Sequence, residues 1–345
     1  MSERLLTMKD KKDKNSVVTL KKLAEEAIAK HSRRIFKHEA GVLKDEDPED
    51  LHQMRVGMRR LQSAIAGCAW AINLPEIVTV KNLAKIGHSL GKLRDLDVLL
   101  AVLTDNYRSQ LLAKEQKNLD KAIKSLGKKR QHELKQVHKN LDSKLYLNLK
   151  QELKDWLKQP NYKVSGEYAL DFVLPDLLSP SVSEFLLHPG WLVGVELKGG
   201  EIEFPALDMD AIERLLKSEA TFLHDLRKAA KKTRYSLELF AQFYGKSYHQ
   251  HLEQVEAVQE ILGQIQDIHV LIEVLEKVLQ SPISEKMPEL AALLLKTRYQ
   301  KWLEWQILQK QFLEVHTRHK IRQEIQQPLR SKKFTTKDQP NQPSS

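Results

Sequence analysis

Residues 51–60 read LHQMRVGMRR, and residues 223–234 read LHDLRKAAKKTR. Each stretch is followed at the same distance by a second motif, LGKLRDLDV at residues 90–98 and LGQIQDIHV at residues 262–270. His52 and His224 lie 172 positions apart (224 − 52), and Gly91 and Gly263 are separated by the same number. Two motifs that keep one register over this distance predict an internal duplication.

Both basic stretches are predicted to form amphipathic helices whose cations lie beside the apolar face. At about 100° per residue, the apolar residues of the first copy form one stripe, and Arg55 and Arg59 fall next to His52. The second copy has five lysines and arginines in residues 224–234 against one acid, Asp225. Like charges at i, i+4 cost a helix about 0.2–0.5 kcal/mol per pair, a cost that a bound anion would offset.

The composition sets wider limits on fold and partner. With 345 residues, of which 41% are hydrophobic, the chain can bury a large core and is long enough for two domains or one duplicated domain. The formal net charge of +10 favours an anionic partner. Because 46 acidic residues are interspersed with the 56 basic ones, an ordinary salt-bridged helical surface is the competing explanation of the charge.

Cysteine content and hydropathy indicate the compartment. Cys68 is the single cysteine, which excludes an intramolecular disulfide and any paired-cysteine metal knuckle. Residues 1–14 are charged and lack the apolar segment of a signal peptide, and no run approaches the roughly 18 apolar residues of a membrane span. We therefore expect a soluble, cytoplasmic protein without a membrane partner.

The spacing of apolar residues predicts an all-α fold. Apolar residues recur at three- and four-residue intervals through most of the chain, and no segment outside residues 159–207 alternates like a strand. The segment 108–157 is predicted to form two long helices with a break near Gly127. Residues 208–327 are predicted to be helical with breaks at Gly245 and near Pro282.

Residues 159–207 differ in character from the rest of the chain. Five prolines and several glycines argue against a continuous helix there, and a small hairpin is predicted around Gly199 and Gly200. This segment is predicted to connect the two repeats. The predicted parts of the chain are a mobile leader (1–16), a first helical repeat (17–158), the connection (159–207), a second helical repeat (208–327) and a disordered tail (328–345).

The paired motifs resemble the CHAD domain, the conserved-histidine α-helical domain. The pattern is His-x-x-Arg-x-x-x-Arg-Arg and then Leu-Gly-x-x-x-Asp, followed by His-x-x-Arg-Lys-x-x-Lys-Lys-x-Arg and a second Leu-Gly-x-x-x-Asp. The resemblance covers about residues 17–325. It implies two related helical bundles packed about a pseudo-twofold axis, with basic residues around a central surface or pore that binds inorganic polyphosphate.

Carried over position by position, the resemblance assigns polyphosphate binding to the basic residues and structural support to the Leu-Gly-x-x-x-Asp motifs. The expected binding residues are His52, Arg55, Arg59, Arg60, Arg94, His224, Arg227, Lys228, Lys231, Lys232 and Arg234. The expected supporting residues are Gly91, Asp95, Gly263 and Asp267. Gln266 stands where the first copy has Arg94, and Gln62 where the second has Arg234, so the contacts need not be symmetric.

The chemistry of these residues suits polyphosphate. Such a chain carries about one charge per phosphate and no bases, so arginine forks and lysine charges suffice to bind it. Binding should weaken steeply with salt, as it does for nucleic acid backbones. His52 and His224 are either donors to phosphate or packing residues, and Asp95 and Asp267 alternatively neutralise the cations. The resemblance also allows association with polyphosphate granules.

Two other functions compete with non-enzymatic binding. A nucleic-acid-binding protein fits the charge, but aromatic residues make up 6% of the chain and Tyr235 is the one aromatic in residues 223–235, which leaves few stacking platforms. A metal-dependent phosphohydrolase fits the His224-Asp225 dipeptide, but no ordered set of further metal ligands accompanies it. We therefore expect no catalysis, no metal and no cofactor. Protein partners are left open by the sequence.

Overall fold

The computed structural model describes residues 18–329, which form twelve α-helices and one small sheet. The helices are α1 (Leu20–Lys44), α2 (Pro48–Gly67), α3 (Val80–Ala101), α4 (Ala113–Leu141), α5 (Lys144–Lys158), α6 (Leu170–Leu186), α7 (Met209–Ser218), α8 (Ala220–Phe240), α9 (Lys246–Leu279), α10 (Ile283–Lys286), α11 (Pro288–Leu313) and α12 (Val315–Ile325). Strands β1 (Glu196–Lys198) and β2 (Glu201–Glu203) pair antiparallel. The predicted all-α fold is confirmed. The predicted leader, and all but two residues of the predicted tail, lie outside the described residues.

Side-chain caps fix where the helices of the first basic stretch and the first Leu-Gly motif begin. Asp47 accepts a hydrogen bond from the backbone N–H of Glu49 (2.8 Å) ahead of α2, and Pro48 takes the first helical position. Thr79 caps α3 by accepting a hydrogen bond from the backbone N–H of Asn82 (3.1 Å). Local hydrogen bonds therefore determine the residue at which each of these two helices begins.

Two hydrophobic cores hold the helices together. The larger core extends from α1 to α12 and includes Met54 and Met58 of α2 and Leu226 of α8. The smaller core joins the end of α3 and the start of α4 to the end of α9 and the start of α11. Because the predicted apolar stripes of α2 and α8 are buried, their basic faces point away from the larger core.

Residues 159–207 do not form one continuous helix, as predicted, but they contain helix α6 despite its prolines. It spans 17 residues with Pro175 and Pro180 inside it. A proline within a helix costs about 3 kcal/mol. Leu174, Leu178 and Phe185 are buried at helical spacing. Burial of several such side chains at about 1.5–3 kcal/mol each outweighs the prolines.

The hairpin and two of the helix breaks lie where the sequence predicts them. The β1–β2 turn is made by Gly199 and Gly200, whose φ angles are +60° and +89°, values that favour glycine. Gly245 directly precedes α9, and Pro282 directly precedes α10. These residues break helices through backbone geometry, which is why the local sequence predicts their positions.

The predicted break near Gly127 is wrong. Helix α4 runs through Gly127 without interruption, and the break before α5 falls at Asp142 and Ser143. Ser143 caps α5 by accepting a hydrogen bond from the backbone N–H of Tyr146 (3.2 Å). A single glycine costs a helix only about 1 kcal/mol, whereas a capping serine provides a start for the next helix.

Candidate functional site

Helices α2 and α8 bring the two basic stretches together. The two helices are in contact. Arg60 on α2 lies with its Nη2 3.6 Å from Glu238 Oε2 on α8. A Cβ placed on Gly67 at the end of α2 would lie 2.8 Å from Leu239 Cδ2, so glycine permits this close approach. The two basic stretches, which lie 172 residues apart in sequence, are therefore neighbours in the fold. The internal duplication itself stays a prediction.

Four cations from these helices converge at one place, which we call the cation cluster: Arg55, Arg59, Arg227 and Lys231. Burial and then, in order of size, the charges of Arg59, Arg55 and Arg227 together lower the pKa of Lys231 to about 7, and Asp95 opposes them. The side chains of Arg59, Arg227 and Lys231 form no ion pair or hydrogen bond with any residue in the range 18–329. Three of the four cations of the cluster therefore lack a carboxylate bonded to them among the described residues.

Two aspartates line the same place from α3 and α9. Arg55 Nη2 donates to Asp95 Oδ1 (3.1 Å), and the Asp95 side chain remains 70% exposed while that of Arg55 is 19% exposed. Burial raises the pKa of the Asp267 carboxyl, although part of this side chain is exposed to solvent. Arg227 opposes this rise, and the charge of Asp95 adds to it. Both predicted supporting aspartates therefore lie within electrostatic reach of the cation cluster.

Each Leu-Gly motif gives one arginine of the cluster room to lie on the neighbouring helix. A Cβ placed on Gly91 would lie 3.6 Å from Arg55 Nε, and one placed on Gly263 would lie 3.1 Å from Arg227 Nε. Both Nε atoms are buried without a hydrogen-bond partner among the described residues. The same packing at both motifs supports the predicted internal duplication.

The two motif histidines flank the cation cluster as largely neutral groups. Burial lowers the pKa of His52, and the positive charges of Arg94, Arg55 and Arg34 act in the same direction. Burial also lowers the pKa of His224, followed by Lys228 and Arg227. The Nδ1 atom of His224 is buried and lacks a partner among the described side chains and backbone. Both imidazoles are therefore mostly neutral at pH 7, and each keeps one N–H that can donate a hydrogen bond.

The other predicted binding residues are mostly neutralised by carboxylates. Lys228 Nζ lies 2.5 Å from Asp225, and Lys232 Nζ lies 2.5 Å from Glu184 on α6. These two lysines are therefore engaged outside the cluster.

Two predicted binding arginines, Arg234 and Arg60, also form ion pairs with carboxylates. Arg234 reaches Glu256 on α9 (2.6 Å) and Glu238 (3.2 Å), and the same Glu238 faces Arg60. Arg234 and Arg60 are thus parts of a network that joins α2, α8 and α9. Arg94 has no ion pair among the described residues, and its charge acts on His52.

One residue near the site lies outside both motifs. Arg34 on α1 donates through Nε to Gln53 Oε1 (2.8 Å), and its charge lowers the pKa of His52. The basic pair Arg33-Arg34 was the available signal in the sequence, but it does not recur in the second half and so escapes a search for repeats.

Two negative findings apply to residues 18–329. No group of three or more His, Cys, Asp or Glu side chains is placed to hold a metal ion, and Asp225 of the His224-Asp225 pair contacts Lys228. Within the same range, no helix has the length and apolar character needed to cross a membrane.

Comparison with known families identifies the family to which this chain belongs. The family model described as the CHAD domain matches residues 26–276, which include both basic stretches and both Leu-Gly motifs. The chain belongs to the CHAD domain family. Helices α10 to α12 lie outside the matched region of this CHAD protein.

Solved structures support the CHAD fold. The crystal structure of the CHAD domain from the plant Ricinus communis is similar with a TM-score of 0.57 and 22% identity, over 90% of this chain and 93% of that one. PptA from Streptomyces chartreusis is similar with a TM-score of 0.56 and 12% identity, over 86% of this chain and 99% of that one. At these identities the likeness concerns the fold. A search of curated proteins gave no match.

Proposed function

We propose that this CHAD protein binds inorganic polyphosphate at the cation cluster and does not cleave it. The observation that carries the proposal is that Arg55, Arg59 and Arg227 of α2 and α8 surround Lys231, whose pKa is lowered to about 7 by burial and then by these charges. Such crowding opposes folding unless a ligand compensates it. A polyanion supplies that compensation, because it presents several negative charges to cations that come from two helices.

The composition of the cluster favours phosphate chains over nucleic acid. Guanidinium groups bind phosphate oxygens in a bidentate manner, and an ammonium group adds a point charge. Tyr235 is the aromatic residue next to the cluster, and the Arg234 guanidinium lies over its ring at 5.1 Å from the centroid. That face of the ring is therefore occupied, which removes a stacking platform for a base.

The ion pairs of α8 provide a matched test. The double variant Arg59→Gln/Lys231→Gln removes two cluster cations that have no ion-pair partner, and it should weaken binding of long-chain polyphosphate by at least about tenfold, with a flatter dependence on salt. The control variant Lys228→Gln/Lys232→Gln removes the same charge, but from lysines already paired with Asp225 and Glu184. Its affinity should change by less than about threefold.

Titration calorimetry at fixed ionic strength measures both variants. Equal losses in the two variants would show that net charge, and not the cluster, determines binding. Wild-type affinity in both would refute binding at these residues. Labelled duplex DNA and RNA serve as competitors, and displacement of polyphosphate by either at matched phosphate concentration would favour a nucleic-acid-binding protein.

The absence of turnover is tested separately. Long-chain polyphosphate incubated with the protein and Mg²⁺ or Mn²⁺ should keep its length distribution on a gel. Release of phosphate that disappears in His224→Ala would overturn the proposal and favour a metal-dependent phosphohydrolase.

A further inference from the structure

Helix α4 carries a continuous row of basic side chains that neither conserved-histidine motif includes. We call it the lysine row, and its members recur at intervals of three or four residues. They are Lys114, Lys117, Lys121, Lys124, Lys128, His132, Lys135 and Lys139. All eight side chains are exposed, and none has an ion pair or hydrogen bond with the residues that the structure describes.

The lysine row lies opposite the buried side of α4. Leu119, Ala122, Leu126 and Val137 face the protein interior. At about 100° per residue, the row is confined to an arc of about 80° that is centred roughly 160° from these residues. The row is therefore the outward ridge of the helix and is not a set of cations scattered around it.

None of the three acidic residues of α4 is paired with the row. Glu133 lies about 140° around the helix from the centre of the row and forms no ion pair with a described residue. Glu115 is buried and accepts hydrogen bonds from the backbone N–H groups of Glu289 (2.9 Å) and Leu290 (3.2 Å) at the start of α11. Asp120 is paired with Arg108 (2.8 Å). Like charges at i, i+3 and i, i+4 destabilise a helix, and this row repeats them along its length. An anion bound from solution would balance the positive charge of the lysine row.

The shape of the row selects the kind of anion. The row is one side chain wide and about 38 Å long at 1.5 Å per residue. A single flexible strand of phosphates follows such a line, whereas the two strands of a rigid duplex wind away from it. Single-stranded nucleic acid needs aromatic platforms, and α4 has no Phe, Tyr or Trp. A membrane-bound helix inserts apolar side chains, and the row contains none.

We propose that the lysine row is a second polyphosphate-binding surface, engaged by chains long enough to extend beyond the cation cluster. This inference rests on the proposed function. It adds that affinity depends on chain length, because a chain held at the cluster reaches the row at a high effective concentration. Lysines suit this role, since point charges on flexible stems bind a moving strand without fixing its register.

The fold holds the row in a fixed relation to the cluster. Arg130, on the inner side of α4, donates through Nε to Asp97 (2.6 Å) and through its other nitrogens to Asp45 (2.6 and 2.7 Å). Asp97 lies on α3, two residues beyond Asp95 of the candidate site. The helix that presents the row is therefore tied to the helix that lines the cluster.

The test compares two variants of equal charge. The row variant carries Lys117→Gln, Lys121→Gln, Lys124→Gln and Lys128→Gln. The control variant carries Lys85→Gln, Lys246→Gln, Lys296→Gln and Lys320→Gln, at exposed lysines scattered over other helices. Glutamine keeps a helix propensity close to that of lysine, so the fold should be retained, and circular dichroism checks it.

Affinities for tripolyphosphate and for long-chain polyphosphate are measured against salt. The row variant should bind tripolyphosphate as wild type does and long chains about tenfold more weakly, with a salt slope reduced by roughly three units. The control variant should match wild type for both. Equal long-chain affinity in the row variant and the control would overturn the proposal.

Two further outcomes separate this inference from the proposed function. Loss of tripolyphosphate binding in Arg59→Gln/Lys231→Gln, with the row variant unchanged for long chains, would leave the cluster as the binding site and refute the row. If the row variant instead loses binding to duplex DNA or to phosphatidylserine vesicles while keeping polyphosphate, the row serves another partner and the inference is wrong.

Discussion

Lys231 is the cation of the cluster whose charge depends most on pH near neutrality. Burial and the neighbouring arginines lower its pKa to about 7, and Asp95 opposes them. A bound polyanion stabilises the ammonium form and raises the pKa again. If the proposed binding takes place at this site, binding at neutral pH should be accompanied by proton uptake, and the affinity should rise as the pH falls through 7.

We expect the affinity for long-chain polyphosphate to be roughly tenfold lower at about pH 8 than at about pH 6, at constant ionic strength. The pKa values of His52 and His224 are below their usual range, so these histidines add charge only at the acidic end of this window. Binding isotherms of wild type and Lys231→Arg measure the effect, because arginine stays charged throughout. The variant should show a nearly flat profile, and a slope equal to that of wild type would assign the pH dependence to other groups.

A second prediction concerns Gly91 and Gly263, the glycines of the two Leu-Gly motifs. In Gly263→Ala the new Cβ would lie 3.1 Å from Arg227 Nε and 3.3 Å from its Nη2, so the guanidinium must shift by a few tenths of an ångström. In Gly91→Ala the distances to Arg55 Nε and Nη2 are 3.6 and 4.0 Å, which are ordinary contacts. We expect Gly263→Ala to weaken polyphosphate binding by about threefold and Gly91→Ala to leave it unchanged.

Thermal melting controls for the fold in this comparison. Alanine is a better helix former than glycine by about 1 kcal/mol, so Gly91→Ala should melt higher than wild type. Gly263→Ala should gain less, because part of the gain is lost in moving Arg227. Identical binding by both alanine variants would show that the approach of arginine to glycine has no role in binding.

Individual helices differ in how well their own sequence describes them. The buried side of α6 follows the helical spacing of Leu174 and Leu178, but Pro175 and Pro180 conceal it from a pattern search. Conversely, Gly127 suggests a break that α4 does not have. In both helices tertiary burial outweighs a local backbone preference of a few kcal/mol, and burial is not visible in a short window of sequence.

Helix α4 should therefore gain stability when its glycine is replaced. A Cβ on Gly127 meets no heavy atom within 4 Å, so Gly127→Ala should raise the free energy of unfolding by about 1 kcal/mol. Gly41→Ala on α1 is the matched control, since its Cβ would overlap the Asp50 side chain, which also pairs with His38. Urea denaturation should show stabilisation in the first variant and destabilisation in the second. A loss of stability in Gly127→Ala would show that α4 is strained at this position.

For the molecule as a whole, the sequence predicted which faces of α2 and α8 are basic, because helical periodicity is a local property. It did not predict which cations remain without a partner. Lys232 is neutralised by Glu184 and Arg234 by Glu256, and these acids lie 48 and 22 residues away in sequence on other helices. Pairing of this kind depends on packing. The three-dimensional structure therefore separates the four residues of the cation cluster from four paired ones, Arg60, Lys228, Lys232 and Arg234, and leaves His52, His224 and Arg94 in neither set.

The meeting of two like-charged helices also predicts an opposition between stability and binding. Arg59 and Lys231 come from stretches far apart in the chain and repel each other in the free protein, and in the proposed function each favours ligand binding. The variant Arg59→Gln/Lys231→Gln should therefore melt about 1–2 °C higher than wild type without ligand at pH 6, where Lys231 is charged. With saturating long-chain polyphosphate the order should reverse, because wild type gains more from binding. The control Lys228→Gln/Lys232→Gln loses two ion pairs, so it should melt no higher than wild type in either condition. If the cluster variant melts lower than wild type without ligand, the cluster stabilises the fold, and its role as a site held ready for an anion is refuted.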